Sequence, residues 1–390
     1  MRIVIAPDKF KGCLCADEVA DAIAAGIRRA MPKARIETCP LADGGEGTVR
    51  AMVAASGGEI RTSRVHGPLP KMHVTAHWGL IDGGRTAVIE MAEAAGLWRV
   101  PTSRKNPLTT TTFGVGQLLM AAARAGATRA ILGIGGSATN DGGLGALQAI
   151  GAEILLSDGL RLTRRSRPLV GGDVAHVVEL TPPPPLPFER IDVACDVRNP
   201  LCGPQGASAI YGPQKGATRA MVKHLDRSLA RLAILTGTEE AAGTPGAGAS
   251  GGLGYGLIAF LPQTHLVPGF ELIAGAAKLA ERLKGCTLCF TGEGALDNSS
   301  ASGKTVAGVA RLCRQAGVPC VALTGAVRGD LSALYANGLT AAFAIADGPM
   351  TLEESHTQAK QLLARAAEAV VRIYSSPQHS PASGRRKSAG

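Results

Sequence analysis

The sequence predicts an α/β protein of two α/β domains: a parallel-sheet domain interrupted in the chain, and an inserted domain of mixed strands. Three observations carry that reading. Residues 1–56 alternate strand-like and helix-like runs. The same alternation returns from about residue 262 to 375. Between them lie apolar stretches broken by Asp82-Gly83-Gly84 and by Asp158-Gly159, which read as hairpins and do not belong in a parallel sheet. A length of 390 residues suits two domains, and 45% hydrophobic residues suffice for their cores.

Taken in order, RIVIAPD is a buried-strand run that breaks at Pro7, and ADEVADAIAAGIRRAMP has helical apolar spacing and stops at Pro32. ARIETCPLADGGEG is a strand running into a glycine-rich turn, and EGTVRAMVAASGG is a short helix. HVTAHWGLIDGGRTAVIEMA reads as a hairpin, FGVGQLLMAAARAGA as a helix, ATRAIL as a strand and LGALQAIGAE as a helix. AEILLSDGLRL is hairpin-like, TPPPPLP is a stiff connector, and RIDVACDV is a strand ending in a carboxylate. VPGFELIAGAAKLAERLKG, KTVAGVARLCRQAG and LEESHTQAKQLLARAAEAVVRIY read as helices, and CTLCFTGEG, PCVALTGAV and LTAAFAIADG as strands. Residues 1–68 and 262–375 then form one five-stranded parallel sheet, 69–261 form the insertion, and 376–390 read as a disordered tail.

Composition narrows the function classes. Aromatics are only 3%, too few for base-stacking platforms, and the net charge of +10 is dispersed, so nucleic acid is not the expected partner. No apolar run reaches the ~18 residues of a membrane span, and the N-terminal apolar run is too short for a signal peptide. Nine scattered cysteines, several inside apolar runs, read as reduced thiols, so a soluble cytoplasmic protein is expected. Cys286 and Cys289 form a CxxC, but three apart on a strand they would face opposite ways, which argues against a redox or zinc pair. His73 and His77 also fall on a strand, away from zinc-helix spacing.

Four turns combine glycine with carboxylate directly after a strand: ADGGEGT (42–48), GGSATNDGG (135–143), CDVRNPLCGPQGAS (195–208) and TGEGALDNSSASGKT (291–305). Glycine lets backbone N–H groups approach an anion, and a helix N-terminus favours phosphate. A carboxylate beside phosphate would repel it unless a divalent cation lay between, so the combination points to a Mg-nucleotide or Mg-phosphate site. Strand-end turns with Asp or Asn caps are the plain alternative for each turn alone. SGKT at 302–305 is not a Walker loop, because the required glycine is Asn298; Lys304 could still serve as a phosphate point charge. GIGGSA fits G-x-G-x-x-A from Gly133 to Ala138, with Asp158 20 residues further on, so an NAD-dependent oxidoreductase acting on a small hydroxy acid is the alternative reading. Asp8, Lys9 and Lys11 stand at the end of the first strand, where lysines could hold a substrate carboxylate or spread phosphoryl charge. Lys215 lies in a Pro/Gly loop, and GAGASGGLGYG (246–256) could cradle phosphate through its amides.

Together these segments resemble the glycerate kinase family of the bacterial glycerate 2-kinase type over about residues 1–375. IAPDKFKG, PLADGGEGT, GGSATNDGG, CDVRNPL with GPQGAS and YGPQKGA, GASGGLG, and TGEGALD with Gly303-Lys304 carry the resemblance in this order. It implies ATP- and Mg²⁺-dependent phosphorylation of D-glycerate, usually to 2-phosphoglycerate. It also implies a flavodoxin-like domain split by an inserted α/β domain, with the active site in the cleft between them. On that resemblance some of Asp196, Glu293 and Asp297 hold the Mg²⁺. Gly135, Gly136, Ser137, Ser250, Gly251 and Gly252 cradle phosphates, alongside Asp141 and Lys215, and Lys9 and Lys304 neutralise charge. Asp196, then Asp43, is the expected base, and Asn140 and Asn199 orient hydroxyls or metal-bound water. A homodimer is left open. Ala295, Ser299 and Val306 stand where the family commonly has a long residue such as Arg, Gln and Pro.

Overall fold

The computed structural model describes residues 1–42, 44–297 and 305–375. They divide into two compact units: Met1–Pro40 with the described residues from Lys278 onward, and the described residues of Leu41–Ala277.

The first unit is the discontinuous one. Its sheet contains five parallel strands in the order Arg35–Thr38, Arg2–Ile5, Leu288–Thr291, Cys320–Thr324, Ala341–Ala344. Counted along the chain this is 2-1-3-4-5, the order of a flavodoxin-like sheet. All five strands are those the sequence predicts. LCFT and CVALT are buried throughout, as strands covered on both faces must be. Helix Ala16–Ala30 buries Val19, Ile23 and Ile27 at four-residue spacing, and its start is held by the Glu18 carboxylate accepting the Cys15 N–H at 3.0 Å. It packs against helix Leu352–Ser375 so closely that a Cβ on Gly26 would lie 2.0 Å from the Ala364 carbonyl oxygen.

This sheet also gathers three cysteines. Cys289 and Cys320 are in register on adjacent parallel strands, so their side chains leave the same face. Helix Thr305–Ala316 adds Cys313, and the three sulfurs lie within 4.8 Å of one another, each residue 0% exposed. The two neighbouring thiols pull the Cys313 thiol below the ordinary range, and the Cys289 sulfur lies 3.6 Å from the Phe290 carbonyl, to which it donates. Cys286 falls just before the strand, its N–H bonded to Leu283, so the expected opposite-face strand pair with Cys289 does not arise.

The second unit holds a six-stranded sheet in the order Thr264–Val267, Arg190–Ala194, Arg129–Gly133, Thr86–Glu90, His73–Ile81, Glu59–His66. The first four strands are parallel and the last two antiparallel to their neighbours. The hairpin at 73–90 turns through Asp82, Gly83 and Gly84, all at positive φ. A separate antiparallel sheet orders Arg161–Leu162, Glu153–Leu156 and Val177–Thr181. His73 and His77 sit on one exposed face of their strand, and His77 pairs with Glu93 at 3.2 Å.

The sheets draw the division at 40/41 and 277/278, away from the expected 68/69 and 261/262. Glu59–His66 pairs with His73–Ile81 along its whole length, which takes helix Thr48–Ser56 and that strand into the inserted unit. Thr264–Val267 pairs with Arg190–Ala194 and takes the following residues with it. The single helix expected over 267–285 is two, Gly269–Ala276 and Leu279–Leu283, broken where Lys278 takes φ 51°.

Gly26→Ala is expected to lower stability by about 2 kcal/mol or more, because the added methyl meets backbone, which cannot rotate away. Urea unfolding followed by far-UV circular dichroism measures it.

Candidate active site

The segment GGSATNDGG is organised by the fully buried Asp141. Its Oδ2 accepts the Thr112 N–H at 2.7 Å, the Thr112 hydroxyl at 2.8 Å and the Gly145 N–H at 3.3 Å, and its Oδ1 accepts the Gly143 N–H at 3.2 Å. These donors open two helices, Phe113–Arg124 and Leu144–Ile150. Burial pushes the Asp141 carboxyl up, and the four donors pull the other way. A Cβ on Gly145 would lie 2.8 Å from Oδ2, so glycine is required for this approach. The anion that these glycines receive is therefore the protein's own carboxylate.

Glu90, which sequence reasoning missed, does the same for ADGGEGT. Its carboxylate accepts the Val49 N–H at 2.6 Å and the Gly47 N–H at 3.2 Å, filling the start of helix Thr48–Ser56. Its signal was a lone carboxylate ending the otherwise apolar strand Thr86–Glu90.

Around Asp141 three distant segments meet. Ser250, Gly251 and Gly252 are consecutive left-handed residues, and a Cβ on Gly251 would lie 1.9 Å from the Thr139 carbonyl oxygen. The Gly142 N–H bonds to the Gly251 carbonyl at 3.0 Å, and the Ser250 hydroxyl donates to the Ile134 carbonyl. Lys215 is buried, its ammonium donating to the Thr139 carbonyl at 2.6 Å; burial pulls its pKa down to about 7, against the opposing pull of Asp141. Asn140 is fully buried; its amide donates to the Ser208 hydroxyl at 3.0 Å, and its Oδ1 has no partner among the described residues. Asn199 is tied on both sides, donating to the Gln205 carbonyl and accepting the Tyr211 hydroxyl, each at 2.7 Å. Gly135 donates to the Gly44 carbonyl at 3.3 Å, Gly136 is exposed at φ 74°, and Ser137 bridges Gly96.

Asp196 differs from Asp141. It is exposed just beyond strand Arg190–Ala194, and its Oδ1 accepts the Gly269 N–H at 2.7 Å. In the first unit, Asp8 is buried at the end of strand Arg2–Ile5; it accepts the Lys9 N–H at 2.7 Å and the Thr305 hydroxyl at 2.6 Å. The Asp8 N–H bonds to the Gly292 carbonyl at 2.8 Å, and Gly294 lies against the Phe10–Lys11 backbone, so the first-strand turn and the turn carrying half-buried Glu293 and Asp297 are neighbours. Asp43 and Lys304 fall outside the described residues.

The dinucleotide reading does not survive the topology. No helix starts within Gly133–Ala138, and Asp158 sits in the turn of an antiparallel hairpin, capping Leu160. It is not at the end of a neighbouring parallel strand, where a ribose-binding carboxylate belongs.

Comparison with known proteins decides the family. Residues 3–375 match the model of the glycerate kinase family. The chain belongs to that family. It is 44% identical over 376 residues to a glycerate kinase of Halalkalibacterium halodurans, covering 96% of this chain and 98% of the relative. It is 42% identical over 370 residues to the glycerate 2-kinase of Escherichia coli K12, covering 94% and 96%. A crystal structure from Salmonella typhimurium LT2, provisionally named glycerate kinase 2, superposes with a TM-score of 0.84 at 39% identity, covering 97% of this chain and all of that one. The chain is accordingly an enzyme of the kinase class. No helix among the described residues is long and apolar enough to cross a membrane.

Two outcomes follow from the site. Asp141→Ala should cost about 3 kcal/mol or more in urea unfolding, since it strands four donors, whereas Asp196→Ala, which loses the bond to the Gly269 N–H, should cost about 1 kcal/mol. Lys215 binds its proton less readily folded than unfolded, so wild-type stability should rise, relative to Lys215→Met, as pH climbs from about 7 towards 10.5. Below pH 7 the gap between the two should be flat. Unfolding curves at pH 6, 8 and 9.5 measure both slopes.

Proposed function

We propose that this chain transfers the γ-phosphoryl group of ATP to D-glycerate, giving 2-phosphoglycerate, as a cytoplasmic enzyme of organic-acid metabolism. The family match over residues 3–375 carries the reading. A compartment that keeps thiols reduced suits its nine free cysteines.

Kinase chemistry is mostly positioning and charge neutralisation. Mg²⁺ takes hard oxygen ligands and keeps several waters, and the exposed Asp196 with the half-buried Glu293 and Asp297 offer such donors on turns after strands. When bound, the ion would supply charge neutralisation on the transferring phosphoryl group. Asp196, at the end of its strand, is the group we assign to receive the proton of the attacking hydroxyl. The unpartnered Oδ1 of Asn140 is an acceptor suited to a ligand hydroxyl or a water. Lys9 and Lys304 neutralise carboxylate or phosphate charge. Asp43 remains the second candidate base.

Gly135, Gly136, Ser137 and the left-handed run Ser250–Gly252 are proposed as the phosphate-binding backbone. Asp141 and Lys215 serve as the internal charges that hold these loops. Asn199 holds the segment behind Asp196.

An ADP-release assay with ATP and Mg²⁺ across glycerate, lactate, tartronate and hydroxypyruvate tests the reading. Glycerate should dominate, with ³¹P and ¹³C NMR placing the phosphate on C2. Asp196→Asn should lose at least about 10³-fold in kcat while unfolding like wild type. A nicotinamide absorbance change without ADP release, or near-normal turnover of that variant, would reject the assignment.

A further inference from the structure

The cysteine cluster of the first unit takes no part in the chemistry above. Cys289 and Cys320 project from one face of the sheet, Cys313 faces them from helix Thr305–Ala316, and all three are completely buried. Their sulfurs lie within 4.8 Å of one another. Three sulfurs around one ion at about 2.3 Å would stand about 4 Å apart, which the cluster can reach with sub-ångström shifts.

We propose that Cys289, Cys313 and Cys320 form a buried three-sulfur site for a soft closed-shell cation, Cu(I) in particular. Ligand type selects the class of ion: thiolates favour soft metals over Mg²⁺ or Ca²⁺, which take oxygen ligands. Coordination number selects within it. A structural zinc site takes four ligands, and among the described residues no further His, Cys, Asp or Glu joins the group. The nearby Cys286 sulfur donates instead to the Leu288 carbonyl at 2.9 Å. Cu(I) is satisfied by two or three sulfurs. Binding replaces thiol protons by the cation, the protons leaving to solvent. With one Cu⁺, two thiols release their protons to solvent and the third keeps its own and binds as a thiol, which limits the buried site to one net negative charge instead of two.

The full chain, reduced under anaerobic conditions, is titrated with Cu(I) buffered by bathocuproine disulfonate. Wild type and a Cys13→Ala/Cys15→Ala control should each withdraw one equivalent that Cys313→Ala and Cys320→Ala do not, their affinity falling at least tenfold. Copper should raise the Tm of wild type and of the control, and of neither variant. X-ray absorption of the loaded wild type should show only sulfur neighbours, two or three of them, and reads the site even where a variant folds poorly. Equal copper uptake by wild type and Cys313→Ala, or nitrogen and oxygen neighbours around the metal, would overturn the proposal and leave the trio as apolar packing. Kinase activity is not the readout, so failure here is distinct from failure of the functional assignment.

Discussion

The inserted unit is arranged around one buried carboxylate. Asp141 sits in a dry interior where an ion is tolerated only if its hydrogen-bonding capacity is filled. Two helix starts fill it, and the Thr112 hydroxyl, which donates to Asp141, accepts in turn from the Ala146 N–H at 2.9 Å. Because both helices begin on the same oxygens, their separation is fixed to within a hydrogen-bond length. The Thr139–Gly142 backbone is then held against Ser250–Gly252 on one side and the Lys215 ammonium on the other.

That constraint reinterprets the glycine-rich turns. An Asp beside bare amides can signal a metal bridging to phosphate, or it can be the anion those amides bind. Asp141 and Glu90 are of the second kind, and Asp196 is exposed enough to be of the first. A rigid, self-satisfied loop system of this sort suits phosphoryl transfer, where the protein's main contribution is to hold reacting groups still.

The legible part of the fold was the part written in local pattern. Four of the five parallel strands were readable as short apolar runs followed by a turn, and the edge strand Arg35–Thr38 from its place between a proline-terminated helix and a glycine-rich turn. Glu59–His66 was not, because an edge strand needs little apolar character; most of EIRTSRVH is exposed, and Glu59, Arg61 and Arg64 are charged. The break at Lys278 was hidden by apolar spacing that continues across it. At the site, residue identities were readable and burial was not. Nothing local tells Asp141 from Asp196, and the contact that buries Lys215 spans 76 residues. The cysteine trio depends on strand register and on one helix crossing, neither of which spacing along the chain reveals.

The discontinuity of the first unit has a consequence for biosynthesis. Strand Arg2–Ile5 lies between two neighbours, Arg35–Thr38 and Leu288–Thr291, and the second emerges from the ribosome some 280 residues after it. The whole of Leu41–Ala277 can fold before that partner exists. Throughout that interval strand Arg2–Ile5 carries an apolar, half-paired edge. Guarding it falls to whatever chaperones attend translation, and slowing elongation would lengthen the exposure.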